Sequence, residues 1–279
     1  MKVTYTVIAK ERDSALAFAI FKSSTSGRSG IVNHTPILEI DDLQKTVLEN
    51  EQRRYLFTNV SAKIEEPTIV ALIGASGQGK STLLRVIGML DAADHGTIRY
   101  RNTLADDYAP RHWRMKVSYV AQQPAMLDGS VDDNLRLVSR LHRQAFDDKL
   151  AHKLMEAVGL GAMDRSKRAA DLSGGEKQRI ALIRTLLLKP EVLLLDEITA
   201  ALDPQSKEAV EQLLLDWHKR EAATMLWVTH DREQARHTSQ RVWLMAEHTL
   251  QQQADTTRFF ENTASGSDGG LAYSNAGEG

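Results

Sequence analysis

Residues 68–82 read TIVALIGASGQGKST, an apolar run followed at once by a glycine-rich loop that ends in lysine, serine and threonine. The loop fits the pattern G-x-x-x-x-G-K-[ST], which binds phosphate when it connects a buried strand to a helix. The apolar run is continuous, as in a strand covered on both faces, and residues 81–90 have helical spacing. This stretch therefore predicts an α/β fold with a nucleoside triphosphate site.

The residues of this loop have complementary predicted roles. The glycines let the backbone point successive N–H groups at an anion, at the positive end of the following helix. Lys80 is expected to reach the β and γ phosphates, and the hydroxyl of Ser81 to bind Mg²⁺. The alternative, a glycine-rich turn with an incidental lysine and serine, does not account for the flanking strand and helix. The predicted nucleotide-binding residues here are Gly74, Ala75, Ser76, Gly77, Gln78, Gly79, Lys80, Ser81 and Thr82.

Strand and helix patterns alternate along the chain. Continuous apolar runs recur at 117–121, 192–195 and 224–228, and segments with helical spacing separate them, at 81–90, 150–158, 176–188 and 206–218. This alternation predicts a doubly wound α/β core. Residues from about 124 to 171 carry helical patterns without a strand run, so we expect a helical lobe inserted into that core. Residues 37–64 are predicted to supply an antiparallel side sheet.

Composition excludes several classes of protein. The 279 residues are 42% hydrophobic and 26% charged, as in ordinary folded proteins and unlike disordered or fibrous chains. A formal charge of −2 disfavours a dedicated nucleic-acid binder. The absence of cysteine excludes disulfides and thiolate metal sites and suits the cytosol. No stretch approaches the roughly 20 apolar residues of a membrane span, and the mixed charges at 10–13 do not fit a secretory signal.

The ends of the chain differ in composition from its middle. Residues 23–30, SSTSGRSG, indicate a linker within an N-terminal extension over residues 1–35. Residues 261–279 are rich in glycine, serine and asparagine and are predicted to form a disordered tail. We therefore expect the folded body over residues 36–260.

Two adjacent carboxylates end the apolar run VLLLDE at residues 192–197. They are expected at the carboxyl edge of the sheet, where open α/β folds bind ligands. Successive strand residues point in opposite directions, so the two should have different roles. Asp196 is predicted to act as a Mg²⁺ partner, and Glu197 to polarise an attacking water beside the γ-phosphate. A solvated strand end is the alternative, which the phosphate loop in the same chain disfavours.

A histidine follows the apolar run at 224–228. His230 is expected at the same sheet edge as Glu197, where it could bond to a γ-phosphate oxygen or orient the water. Because the chain has nine histidines, an ordinary surface histidine is the alternative reading.

The segment LSGGEKQR at residues 172–179 precedes a strong helical pattern. Ser173 and Glu176 have the spacing of a capping box, which explains both residues locally. The pair Gly174 and Gly175 is unfavourable in a first helical turn unless the backbone approaches a ligand closely. A second helix N-terminus would then be a second phosphate cradle.

Together these segments resemble the ATP-binding cassette (ABC) ATPase family over roughly residues 37–245. GASGQGKST is similar to its Walker A motif, VLLLDE to its Walker B, LSGGEKQR to its signature and VTHD to its H-loop, while Gln122 in VAQQP matches the Q-loop and Asp203 in ALD the D-loop. The resemblance implies a P-loop NTPase (RecA-like) core with an antiparallel side sheet and a helical lobe.

The same resemblance implies how the residues act. In this family two cassettes sandwich two ATP molecules, so Ser173, Gly174, Gly175 and Glu176 are expected to act in trans and hydrolysis to need a dimer. Gln122 is expected to touch Mg²⁺ and the attacking water and to link the helical lobe to a membrane partner. The sequence departs from the family near Val47, where an adenine-stacking aromatic is usual; the nearest aromatic, Tyr55, is assigned to the next strand. Ile198 and Ala200 replace residues common in the family, without removing a catalytic group.

The segments at 172–203 and 226–235 are particularly similar to the FetA (YbbL) subfamily, which pairs with a FetB (YbbM) type membrane protein and is implicated in iron export. We therefore expect an ATP- and Mg²⁺-dependent motor subunit, homodimeric and peripheral on the inner face of the cell membrane, that energises a separate polytopic permease and binds no nucleic acid. Phosphate or amino-acid import is an alternative with the same mechanism. A non-transport ABC protein acting on ribosomes or DNA is a third, although such proteins usually carry two cassettes or a long coiled coil.

Overall fold

The computed structural model describes residues 6–8, 19–21, 35–49 and 51–264. The chain divides into two units, 1–34 and 35–279. In the first, β1 (Thr6–Ile8) pairs antiparallel with β2 (Ala19–Phe21). The predicted linker at 23–30 and residues 265–279 of the predicted tail lie outside the described residues. The second unit contains every residue of the candidate site.

In chain order, the second unit contains β3 (Leu38–Glu49), β4 (Gln52–Ile64), β5 (Ile69–Ile73), α1 (Lys80–Ile87), β6 (His95–Tyr100), β7 (Thr103–Leu104), α2 (Pro110–Lys116), β8 (Val117–Val120), α3 (Val131–His142), α4 (Asp148–Ala157), α5 (Gly174–Leu186), β9 (Val192–Asp196), α6 (Pro204–Glu221), β10 (Thr224–Val228), α7 (Arg232–Thr238), β11 (Arg241–Ala246), β12 (Thr249–Asp255) and α8 (Thr256–Ala264).

The central sheet has six strands in the order β12-β11-β5-β10-β9-β8. All neighbours are parallel except β12, which pairs antiparallel with β11 at one edge. Every residue of β9 and β10 is buried, as expected of strands covered on both faces. The α/β prediction is confirmed, and all four predicted apolar runs form neighbouring strands of this sheet. Strands β11 and β12 were not predicted from the sequence.

The side sheet is antiparallel, in the order β4-β3-β6-β7. Its β3–β4 hairpin comes from the predicted segment at 37–64, whereas β6 and β7 come from residues 95–104. Leu38, Ile40 and Phe57 are buried where the hairpin packs against the central sheet. The side sheet is therefore larger than the sequence predicted, because β6 is half polar and gives only a weak strand pattern.

The helical lobe contains α3 and α4. Ser130 and Asp133 form a capping box at the start of α3, and Asp147 caps α4. Leu135 and Leu154 pack with residues of α5 in one core cluster. The lobe is thus joined to the core through α5, the helix that begins at the LSGGEKQR segment.

One boundary prediction was wrong. Residues 261–264, assigned from composition to a disordered tail, lie in the last turn of α8. Buried Phe259 and Phe260 hold this helix against the core, and the glycine-rich composition begins only after it.

None of the helices in the part of the chain that the structure describes is long and apolar enough to cross a membrane.

Candidate active site

The phosphate loop at residues 74–79 connects β5 to α1. Its three glycines all have positive φ angles, 151° at Gly74, 80° at Gly77 and 87° at Gly79. A Cβ atom at Gly74 would lie 2.2 Å from the carbonyl oxygen of Met245, so glycine is also required by close packing. The N-cap residue of α1, Gly79, has no side chain that could cap the helix, which leaves the first N–H groups for an anion.

Lys80 folds back over this loop. Its ammonium group donates to the carbonyl oxygens of Gly74 (2.8 Å) and Ala75 (2.9 Å), and only 5% of the residue is exposed. Burial lowers the pKa of Lys80, an effect that the nearby carboxylates of Glu197 and Asp196 oppose. The loop thus holds a buried cation that is hydrogen-bonded to neutral carbonyl oxygens. A charged phosphate oxygen would be a stronger partner for this cation.

The other predicted loop residues form a partly open rim. Ala75, Ser76 and Gly77 are exposed. The side chain of Gln78 accepts a hydrogen bond from the backbone N–H of His248 (3.0 Å), and Thr82 accepts one from Arg85 (3.2 Å).

Asp196 is buried between two hydroxyl groups. Ser81 Oγ donates to its Oδ1 atom and the Tyr119 hydroxyl to its Oδ2 atom, both at 2.8 Å. Burial, reinforced by the bond to Asp196, raises the pKa of Tyr119, so this hydroxyl stays a donor. The oxygens of Ser81 and Asp196 are the hard ligands that Mg²⁺ prefers, so the residues fit this cation provided that water and phosphate complete its shell. Tyr119 was not predicted; its only signal is an aromatic residue near the end of an apolar run.

Glu197 lies between the two other predicted polar groups. Its Oε1 atom is 3.0 Å from His230 Nε2, and its Oε2 atom accepts from Gln122 Nε2 at 3.2 Å. Glu197 has a φ of 48°, an uncommon left-handed conformation for a residue other than glycine. Its N–H donates to Val228 (3.1 Å). The backbone leaves β9 in a strained turn that presents this carboxylate to partners from two neighbouring strands.

A set of contacts behind His230 was not predicted from the sequence. Asp231 caps α7 and forms an ion pair with Lys207 of α6. The amide of Gln234 donates to both Thr199 Oγ1 and Glu211 Oε1, each at 2.7 Å. These bonds tie the segments after Glu197 and His230 to α6. They join residues far apart in the chain, so no local pattern indicates them.

The predicted capping box at the start of α5 is present. Ser173 donates its N–H to Glu176 Oε2 (2.7 Å), and Glu176 returns its own N–H to Ser173 Oγ (3.2 Å). The bond from the Ser173 backbone lowers the pKa of Glu176. A Cβ atom at Gly174 would have no atom within 4 Å, whereas one at Gly175 would lie 3.2 Å from the Leu202 side chain. Nothing packed against Gly174 within the described residues therefore requires a glycine there.

Asp203 caps α6 by accepting the N–H of Ser206 (2.9 Å), and the bonds from Ser206 lower the pKa of Asp203. Arg179 of α5 donates to Ser206 Oγ (2.5 Å), so the signature helix and the helix after Asp203 are linked. The structure thus brings Gln122, Asp196, Glu197 and His230 to the phosphate loop's edge of the sheet. Among the described residues, no hydrogen bond or ion pair joins the signature segment or Asp203 to this group.

The chain was compared with known proteins. Residues 57–200 match the family model described as ABC transporter. The putative ABC transporter ATP-binding protein YjkB of Bacillus subtilis (strain 168) is 36% identical over 225 residues, which cover 81% of this chain and 89% of that protein. The probable iron export ATP-binding protein FetA of Escherichia coli (strain K12) is 34% identical over 189 residues, covering 68% and 84%. Relatives named for sulfate/thiosulfate import and for lipoprotein release also match.

The dimeric structure of MJ0796, a bacterial ABC transporter cassette, superposes with a TM-score of 0.70 at 27% identity, covering 78% of this chain and 98% of that one.

Proposed function

Because the chain belongs to the ABC transporter family, in which it is an ATP-hydrolysing, ATP-binding subunit, we propose that it works as a Mg²⁺-dependent homodimer that drives a separate FetB (YbbM) type permease for the export of iron or another metal. The observation that carries the hydrolytic part is the position of Glu197, whose two carboxylate oxygens are held by His230 and Gln122 beside the Ser81–Asp196 pair.

Each polar side chain at this edge of the central sheet has a role in the proposed reaction. Lys80 and the loop N–H groups bind the β and γ phosphates, and Ser81, Asp196 and Gln122 would hold Mg²⁺. When bound, that cation supplies positive charge to the phosphate oxygens. Glu197 accepts a proton from the attacking water, and His230 fixes the carboxylate and donates toward a γ-phosphate oxygen. The bond from Gln122 keeps the second carboxylate oxygen aimed at the same edge.

The dimer is proposed from the signature segment. Gly174 lies at a helix N-terminus and faces open space, so nothing among the described residues makes use of its lack of a side chain. A phosphate on a second subunit would use it, because a bare backbone at a helix N-terminus binds anions closely. Ser173, Gly174, Gly175 and Glu176 would then contact the nucleotide of the partner, with Asp203 nearby at the same interface.

The permease and cargo are proposed from similarity and from one contact. Gln178 of α5 donates to the carbonyl oxygen of Ala121 (3.0 Å), the residue before Gln122, so the signature helix is bonded to the predicted link with a membrane partner. We place the subunit at the inner face of the cell membrane, against that partner. Metal export is proposed from the similarity to FetA, of whose length the match covers 84%.

The test is a co-purification. Tagged Glu197→Gln protein with Mg-ATP, which should accumulate as a closed dimer, is captured from detergent-solubilised host membranes, with Glu233→Gln, an exposed change on α7, as the matched control. A polytopic membrane protein in stoichiometric amount supports the proposal, and its loss should raise the cell's iron content. A permease that co-purifies with a sulfate-binding protein would replace export by import. Ribosomal or DNA-repair proteins without a membrane partner would refute the transport role.

A further inference from the structure

The hydrolytic residues fix the direction in which a bound nucleotide runs. In the central sheet, β10, β9 and β8 lie on one side of β5, and they carry His230, Glu197 and Gln122. On the other side of β5 lies β11, and the β11–β12 turn contacts the phosphate loop through the His248–Gln78 hydrogen bond. The γ-phosphate end of a bound nucleotide would therefore point toward β9, and its ribose and base would leave toward the His248 side.

Strand β4 borders the loop on that side. A Cβ atom at Gly79 would lie 3.0 Å from Leu56 Cγ and 3.0 Å from Phe57 Cδ1. His248 Nδ1 is 3.2 Å from the Leu56 carbonyl oxygen, and its own carbonyl accepts the N–H of Thr58 at 2.8 Å. A base that leaves the loop in this direction must therefore pass along the side sheet next to Leu56.

The next side chains on that face are Arg54 and Val47. The β3–β4 register places Phe57 opposite Lys45 and, beyond a bulge at Leu56, Arg54 opposite Val47. Because Lys45 and Val47 are two residues apart on β3, Arg54 shares a face with Phe57, which borders Gly79. An ion pair between Arg54 and Glu49 agrees with this arrangement, because Glu49 shares a face with Val47. Arg53 and Tyr55 belong to the opposite face. Tyr55 is 53% exposed there and cannot be the stacking residue.

We propose that the base of ATP stacks on the guanidinium plane of Arg54, with Val47 beside it, an assignment that rests on the proposed function. A guanidinium group is planar and stacks on aromatic faces, and an ion pair through its edge leaves the plane available. The side chain is 48% exposed, so a base would cover surface that now faces water. Every base has an aromatic face, so this contact discriminates little between ATP and GTP.

The test is calorimetric titration of the full-length protein with Mg-ATP and, separately, with magnesium and inorganic triphosphate, which has no base. Arg54→Ala and Arg54→Lys should each weaken ATP binding about two- to fivefold, the worth of an exposed cation–π contact, and leave triphosphate unchanged. Arg53→Ala, the neighbour on the opposite face, should change neither.

Four results would overturn the assignment. They are unaltered ATP affinity in Arg54→Ala, full recovery in Arg54→Lys, equal losses of ATP and triphosphate, and an equal effect of Arg53→Ala. The second and third would show that Arg54 acts only by charge. Failure of the unmutated protein to bind either probe would instead refute the phosphate site, and the proposed function with it.

Discussion

Replacing Glu197 with glutamine should stop hydrolysis while leaving the site almost unchanged in shape. The carboxylate now receives a hydrogen bond from Gln122 (3.2 Å) and lies 3.0 Å from His230 Nε2. A glutamine can keep both contacts, with its amide oxygen toward Gln122 and its NH₂ toward His230 as the neutral imidazole with Nδ1 protonated. The substitution thus removes one negative charge and one proton acceptor and no packing.

The expected magnitude follows from the loss of the base alone. A positioned general base contributes about a hundred- to ten-thousandfold, or about 3–5 kcal/mol of the activation barrier. ATP affinity should be equal or higher, because Lys80 and the loop N–H groups are untouched and a carboxylate near the phosphates has been neutralised. The variant should therefore accumulate with ATP bound.

The assay is phosphate release at saturating Mg-ATP, together with light scattering to measure the mass of the ATP-bound species. Glu233→Gln makes the same chemical change on an exposed helix surface and should release phosphate at the unmutated rate. Turnover within tenfold of the unmutated protein would refute the role assigned to Glu197. A large loss of ATP affinity would show that the carboxylate organises the phosphate site instead.

Four further substitutions test other parts of the structure. Lys80→Met should abolish ATP binding in a calorimeter yet melt no lower than the unmutated protein, because burial already disfavours the ammonium form; a lower melting temperature would contradict this. Gly74→Ala should destabilise the fold by more than about 2 kcal/mol in urea denaturation, and Gly77→Ala by only about 1–2 kcal/mol, since both have positive φ but only the first meets a neighbouring atom. Burial alone would raise the pKa of Glu191, but hydrogen bonds from Tyr100, Lys116 and Arg101 lower it to about 2. The contribution of Glu191 to the free energy of unfolding is therefore complete above its ordinary pKa of 4.5 and is lost as the pH falls toward 2. The stability difference between the unmutated protein and Glu191→Gln should accordingly shrink over that interval, and a constant difference would rule out this origin.

Sequence reasoning located the strand ends of the site because their signals are local. The phosphate loop, the capping box at Ser173 and the acids after β9 each lie within a few residues of the pattern that reveals them. The contacts between these residues depend on strand register, which no local sequence pattern reveals. In the structure Val120 is opposite Leu195, so the residues two positions beyond, Gln122 and Glu197, meet directly.

Elements whose conformation depends on their neighbours were missed. Strand β6 contains histidine, glycine, threonine and arginine and is a strand because β3 pairs with it. Strand β12 carries a run of glutamines at the edge of the sheet, where an apolar pattern is not needed. The ion pair of Lys207 with Asp231 likewise joins two helices that only the tertiary fold brings together.

The signature segment indicates that a single chain contains only part of the proposed ATP-hydrolysing site. Ser173 and Glu176 are satisfied by each other, whereas no residue in the part of the chain that the structure describes packs closely enough against Gly174 to require glycine there. From this helix, Arg179 bonds to Ser206 in the first turn of α6, and the next residue, Lys207, pairs with Asp231 beside His230. Contacts thus run without interruption from the segment proposed to bind the partner's nucleotide to the histidine at this chain's own site. In the proposed dimer, this hydrogen bond and this ion pair, both within one chain, would connect the segment that faces the partner's nucleotide to this chain's own site.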